Sequence, residues 1–466
     1  PISVQHGGEG GLVEGRFVYA GWALRYASAA VSGCAMPDVP GVCGPWSHVV
    51  NERVRKSCAR FLGEVEQPEA HGVRWDWERL ERFGERCLAF GITLLAYQCW
   101  IAAVLIARRR PDGNPATKRS LLRCARGSGK TGFAVPWLEE AMAEGGDVLC
   151  MSVSTNQEKA NEVHQRLSRL HSGSKAWSST GGKSSNTIGR VMHGKAMYSA
   201  VPCRDEHMDS VVATRIFVDE AARMDEAVNR AMTAVTKTRD GQLFIATTPD
   251  RDEKIRELHP HLTELERCLD EDTPWPKGWW GFLYGMDPGD DPRTEAAVAK
   301  ANPGVDLLGV TMEEALGEVC RMLDQGDVKT REEAYTQLLC TFTDEATGAL
   351  PLELLDRVSV AFDPDRLLGC NGVIAVDFSQ GGFSTSRSQC DMTSAAVMLW
   401  DGSQVHSFGR NWWAGADLAG DEKRAKQPLA QWVADGHLVN TGGPVIDLSL
   451  LEAWMEEQCK RYNIRA

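Results

Sequence analysis

The sequence predicts an α/β protein, with a mostly parallel sheet covered by helices on both faces and a smaller α/β domain after it. Three observations carry this reading. From residue 120 onward short apolar runs alternate with helical patterns, the order that builds parallel sheets. One such run, residues 120–124, leads into a glycine-rich loop and then a helix. Beyond residue 366 the order changes to three strands, two of them joined by an Asp401-Gly402 turn signal, and then helices.

At 466 residues the chain holds two or three domains of roughly 150 residues each. Hydrophobic residues at 43% and charged residues at 25% fit an ordinary globular protein and exclude disordered and fibrous classes. A net charge of −13 excludes a protein that coats nucleic acid by bulk charge, while leaving room for a local basic groove. The 14 cysteines form no CxxC pair, which argues against a disulfide framework or a zinc site and for a reduced, cytoplasmic chain. No signal-peptide pattern is present. The sequence opens on Pro1 and ends at Ala466 just after a helical pattern, so we expect a fragment, trimmed at one or both ends.

The first segment, from Phe17 to Phe90, has helical signals at 54–62 and 75–90 and no evident chemistry. Residues 87–107 are apolar except for Thr93, Tyr97 and Gln98, and Arg108, Arg109 and Arg110 follow. Length and basic flank would suit a membrane span. The stretch begins shortly before a phosphate-binding loop, however, and we expect a buried helix, with Gln98 kept for a polar task and no membrane partner.

That loop is the strongest signal in the chain. Residues 121–132 read Leu-Leu-Arg-Cys-Ala-Arg-Gly-Ser-Gly-Lys-Thr-Gly, which meets GxxxxGK[ST] except that Cys124 replaces the first glycine. Gly127 and Gly129, flanking Ser128, let backbone amides turn toward phosphate oxygens, and the helix that follows adds its positive dipole end. Lys130 is placed to bridge the β- and γ-phosphates and the Thr131 hydroxyl to ligate Mg²⁺. Pro136 should distort a turn of that helix. Arg126 is placed to neutralise charge on the γ-phosphate. Between Arg108 and Lys130 the cations Arg108, Arg109, Arg110, Lys118, Arg119, Arg123 and Arg126 face the single acid Asp112. This is either a positive patch for phosphates or a solvated basic loop, and for residues 108–118 both readings stand.

A strand at 147–153 follows, then a capping box, Thr155-x-x-Glu158, opening a helix whose Ala160, Val163, Leu167 and Leu170 share one face. Ile216-Phe-Val-Asp219-Glu220 is an apolar strand ending in two acids. In a P-loop NTPase Asp219 would hold Mg²⁺ through water and Glu220 would act as general base. Residues 242–249 form another buried strand, beside the first, ending in Thr247 and Thr248, either of which can sense the γ-phosphate.

The order of Gln98, Arg126-Gly-Ser-Gly-Lys-Thr, Val218-Asp-Glu-Ala and Ala246-Thr-Thr-Pro resembles the large terminase subunit of tailed bacteriophages, which packages viral DNA into preformed capsids. That family tolerates a non-glycine residue at the start of its phosphate loop. The resemblance implies that Gln98 contacts adenine and that Thr247 and Thr248 couple hydrolysis to domain motion. Ala301-Asn-Pro303 and Asp287-Pro-Gly-Asp-Asp291 resemble its connecting region. It implies ATP and Mg²⁺ as cofactors, and double-stranded DNA, a small terminase subunit and a portal protein as partners of a homo-oligomeric ring, in the cytoplasm of an infected bacterial host cell.

The C-terminal strands, 372–379, 392–400 and 404–413, followed by helices at 418–435 and 450–462, match a ribonuclease-H-like fold, which cuts DNA with carboxylates around two metal ions. Asp377 resembles the family's first ligand for Mg²⁺ or Mn²⁺, and Asp391 the aspartate opening its second strand. The family's next acids would lie beyond Ala466, and Asp447 reads as a helix cap, so we expect a partial nuclease domain with poor or no cleavage. The domains are then an N-terminal helical lead-in (1–85), a P-loop ATPase core (86–256), a linker subdomain (257–365) and a ribonuclease-H-like nuclease domain (366–466). The function read from the sequence is a packaging motor that translocates DNA and cuts concatemers. Its rivals are a helicase-like DNA-remodelling ATPase without nuclease activity and an assembly protein that binds nucleotide without turnover.

Overall fold

The computed structural model describes residues 18–34, 49–172, 183–185, 190–203, 211–224, 227–250, 258–324, 328–342, 358–359, 363–378, 392–415, 417–425, 428–443 and 446–464. The chain divides into two units, Pro1–Leu352 and Glu353–Ala466.

The first unit is built on an eight-stranded sheet. Its order is Trp279–Leu283, Arg119–Arg123, Gln242–Thr247, Arg215–Asp219, Leu149–Ser154, Ala196–Pro202, Arg190–His193 and Lys183–Ser185. The first six run parallel and the last two are added through antiparallel pairings, so the predicted mostly parallel sheet is present. Strands buried on both faces need apolar residues at consecutive positions, and these have them. Leu122, Phe217 and Phe244 pack on one face, beneath helices that include Lys130–Ala143 and Gln157–Ser172. Leu121, Ile216, Val218, Leu243 and Ile245 pack on the other, against Ala227–Thr236 and Leu258–Asp270. The segment read as a linker thus contributes Trp279–Leu283 to this sheet, in parallel register with the strand that precedes the phosphate loop.

The 87–107 stretch is not one helix. It breaks after Ala89 and resumes as an α-helix, Ala96–Ala102, continued by a π-helical turn, Ala103–Ala107, with every residue of both buried. Among the described residues no helix is long and apolar enough to cross a membrane.

Several local expectations are corrected. The helix after the phosphate loop runs unbroken through Pro136. The helix at 157 is capped by Asn156, whose Oδ1 accepts from Lys159 N at 2.9 Å, and not by Thr155. Most of the basic stretch is neither a phosphate patch nor a solvated loop. The Arg108 guanidinium donates to both oxygens of Glu64 at 2.6 and 2.8 Å. Arg109 is buried, with Nε on the Ile106 carbonyl at 2.8 Å. Arg110 pairs with Asp112 at 3.3 Å and Arg123 with Glu266 at 2.7 Å. Lys118 donates to the Arg239 carbonyl, and Arg119 lies over the Trp279 ring. Of these cations, Arg126 and Lys130 line the cleft described below.

Arg215, at the start of the Asp219 strand, is buried and paired with Glu140 of the phosphate-loop helix, which also accepts from Arg79 Nε at 2.9 Å. The Arg215 guanidinium lies over the Trp137 ring as well. A cation that weakens the apolar signature of the strand therefore bolts that strand to the helix.

The second unit holds a five-stranded sheet in the order Leu438–Asn440, Val405–Trp413, Thr393–Trp400, Asn371–Asp377, Asn463–Ile464. The central three strands are antiparallel and each outer strand is parallel to its neighbour, an arrangement that fits a ribonuclease-H-like sheet. Leu451 and Trp454 of the helix Leu448–Arg461 pack on Ala395, Val397, Leu399 and Trp412. The predicted 418–435 helix is two, Leu418–Ala425 and Leu429–Ala434, with Pro428 at the N-cap of the second.

Candidate nucleotide site

Arg119–Arg123, Gln242–Thr247 and Arg215–Asp219 lie side by side and parallel, so their C-terminal ends open on one edge of the sheet. Ligands of open α/β sheets bind at such edges. The edge carries the phosphate loop, the Asp219-Glu220 pair and the two threonines together, around a cleft of about 720 Å³.

Gly127 and Gly129 have φ of 79° and 80°, the left-handed region that glycine enters without steric cost. At Gly129 a Cβ would also meet Leu308 Cδ1 at 2.7 Å and Gln98 Nε2 at 3.1 Å. Cys124 is not left-handed, which explains why no glycine is needed there. It is buried, and burial pushes its thiol pKa up, so the thiol stays protonated. Its carbonyl does the local work, accepting from Lys130 Nζ at 2.8 Å and Thr248 Oγ1 at 3.1 Å. The Lys130 ammonium also donates to the Ala125 carbonyl at 2.9 Å and to Thr248 Oγ1 at 2.8 Å.

Thr131 Oγ1 donates to Asp219 Oδ2 at 2.9 Å, and the Glu220 amide donates to Asp219 Oδ1 at 3.0 Å. Burial raises the Asp219 pKa, with Thr131 and Lys130 pulling the other way, and no ion pair among the described residues reaches it. A half-buried carboxylate beside a hydroxyl, oxygen donors only, fits a hard divalent cation. The raised pKa fixes the sign of a prediction. A divalent cation held here would take the anionic form and displace a proton, so its affinity would fall as pH drops. Divalent-cation affinity, measured by equilibrium binding from pH 8 downward, should weaken at a higher pH than an ordinary aspartate would allow, and Asp219→Asn should abolish the dependence.

Glu220 has φ of 56° and is ion-paired with Lys159 of the facing helix. The two threonines divide. Thr248 lines the cleft, whereas Thr247 is buried with Oγ1 accepting from Ala222 N at 3.0 Å. Gln98 also lines the cleft, but its amide is engaged. Oε1 accepts from Leu95 N at 3.0 Å, and Nε2 donates to Tyr97 Oη at 3.3 Å and the Gly129 carbonyl at 3.4 Å. Ser128 is buried and braces the loop, donating to the Ala125 carbonyl at 2.9 Å and Asn302 Oδ1 at 2.8 Å. The Arg126 side chain is exposed at the cleft mouth, with no ion pair among the described residues.

The solved structures that this chain is similar to include bacteriophage large terminases. No protein-family model and no curated protein matches it. The large terminase of bacteriophage HK97 is 16% identical, over 82% of this chain and 78% of that one, with a TM-score of 0.47. The large terminase ATPase domain of Thermus phage P74-26 is 14% identical over 54% of this chain and 97% of that one, with a TM-score of 0.35. The large terminase of a thermophilic bacteriophage is 11% identical over 76% of this chain and 78% of that one, at 0.34.

Sequence reading missed Lys159, Arg223, Asn302, Leu308 and Gln337, all of which touch this cleft or its loop. Ala301-Asn-Pro303 drew attention as a motif, but nothing local in it points back to Ser128. In the second unit Asp377 is exposed at the end of its strand, opposite Ser394. Asp391 lies outside the described residues. Asp447 caps its helix, accepting from Ser449 N at 3.0 Å. Among the described residues no three His, Cys, Asp or Glu side chains are grouped to hold a metal.

Proposed function

We propose that this chain is a viral DNA-packaging motor subunit, a terminase large subunit that hydrolyses ATP to translocate duplex DNA into a capsid in an infected bacterial cell. The observation that carries the ATPase reading is the meeting of Lys130, Thr131, Asp219 and Glu220 in one cleft at the ends of adjacent parallel strands. In this reading Lys130 binds the β- and γ-phosphate oxygens in place of the Cys124 and Ala125 carbonyls. Thr131 and Asp219 would hold Mg²⁺, which neutralises charge on those oxygens. Glu220 takes the proton of a water whose oxygen bonds to the γ-phosphorus, while the bond to the bridging oxygen breaks and its electron pair leaves with ADP. Arg126, exposed at the mouth, balances charge on the γ-phosphoryl group. Gln98, whose Nε2 donates to the Gly129 carbonyl, is the proposed contact for adenine.

The motif combination supports DNA translocation as the output. Double-stranded DNA, a small terminase subunit, a portal protein and a homo-oligomeric ring on the capsid are the proposed partners. For the second unit we propose a metal-dependent endonuclease domain for concatemers, with Asp377 and Asp391 among the ligands of Mg²⁺ or Mn²⁺ and with poor or no cleavage expected from these two acids alone. Lys130→Ala should lower ATP turnover by about 10²-fold, the loss typical of one charge-stabilising donor. Unchanged turnover would remove the motor reading. A forked duplex should stay annealed under ATP hydrolysis, because strand separation would move the function to a helicase.

A further inference from the structure

Arg223 lies three residues beyond Glu220, and the fold turns it back to the same cleft. The left-handed backbone of Glu220 is rare for a residue with a Cβ and persists only where its surroundings impose it. Beyond it the chain makes one 3₁₀ turn, Ala221–Arg223, closed by Arg223 N donating to the Glu220 carbonyl at 2.9 Å. The guanidinium is held from two sides, Nε donating to Asp250 Oδ2 at 2.8 Å and Nη2 to Gln337 Oε1 at 3.4 Å. A guanidinium has five N–H donors, so others remain for a ligand.

Gln337 joins this group to the rest of the site. It is buried, its Nε2 donates to the Pro249 carbonyl at 2.7 Å, and its own carbonyl accepts from Arg126 N at 3.2 Å. It sits in a π-helical turn, Ala334–Leu338, a conformation common at functional positions. Through its side chain this residue touches the turn after Glu220 and the residue that follows the Thr247–Thr248 strand, and through its backbone carbonyl it holds the phosphate loop.

We propose that Arg223 is a second cation reading the γ-phosphate, separate from Arg126, and that Gln337 is the positioning residue that orients it. The inference rests on the reading of this cleft as an ATP site. With ATP bound, γ-phosphate oxygens compete with Asp250 and Gln337 for the guanidinium. ADP lacks that group, so the Gln337 joint differs between the two states and passes the difference to residues 328–338.

The test uses the full chain with Arg223→Met, Gln337→Leu and the double variant. It measures ATP turnover and the affinities for ADP and a non-hydrolysable ATP analogue. Arg223→Met should keep ADP affinity close to wild type, lose about tenfold in analogue affinity, the worth of one charge-assisted hydrogen bond, and lower kcat. Gln337→Leu should lower kcat with KM little changed, and the double variant should be no worse than Arg223→Met alone. Equal losses for ADP and the analogue, or additive losses in kcat, would overturn the proposal. Should Arg223→Met not fold, Arg223→Lys serves in its place. It keeps the charge but not the planar fork, and should also bind the analogue more weakly while ADP binding holds. Wild-type protein without turnover would sink the ATPase reading and this inference together, whereas active wild type with unaltered variants would sink this inference alone.

Discussion

We expect Glu220→Gln to lower ATP turnover by about 10²–10⁴-fold with nucleotide affinity close to wild type, because the general base proposed for this position acts on the chemical step and not on binding. The substitution preserves the shape of the side chain and its backbone bond to Asp219, and removes the anion proposed to accept the proton of water. It also releases Lys159 from its ion pair. The freed ammonium lies in the same cleft, so affinity for a triphosphate should hold or rise. Single-turnover hydrolysis and equilibrium nucleotide binding, measured side by side, separate the two effects. Turnover that survives the change would transfer the base to another group and end the role assigned to Glu220.

The second large effect is on stability. Glu140 is buried between Arg215 and Arg79. Burial alone would raise its pKa, but the two guanidiniums outweigh that and hold it well below the usual carboxylate range. Glu140→Gln keeps the volume and leaves Arg215 buried without its counter-charge, a change that costs about 3–5 kcal/mol. For a unit of this size that is roughly 5 °C in Tm. The sign with pH is set by the depressed pKa. The stabilisation is present above the pKa of an unfolded glutamate and is lost as pH falls through the folded value. The wild type should therefore lose its advantage over Glu140→Gln in acid, and equal melting of the two at pH 7 would show that the network contributes nothing.

Legibility in the sequence followed chain distance. The phosphate loop, the Asp219-Glu220 strand and the Thr247-Thr248 strand were readable because strand–loop–helix geometry and the left-handed demand at Gly127 and Gly129 are local properties. The braces were not. Ser128 and Asn302 lie 174 residues apart, and no periodicity or cap signal links them. The basic stretch misled for the same reason. Its charges looked available because their partners, Glu64 for Arg108 and Glu266 for Arg123, lie in other helices.

What the sequence by itself determined is which groups stand where: a glycine-rich loop with Lys130 and Thr131, the acids Asp219 and Glu220 and the threonines 247 and 248, each at a strand end, with a second α/β unit led by Asp377. What only the tertiary structure decided is which polar groups are free to perform it. Thr248 lines the cleft while Thr247 is locked beneath it, Arg126 is available while Arg123 is paired, and Arg223 and Gln337 join the site from outside any motif. The physical reason is that a motif sets backbone conformation over a few residues. The state of a charge or a donor depends on whatever packs against it, and those contacts form only when distant segments of the chain meet.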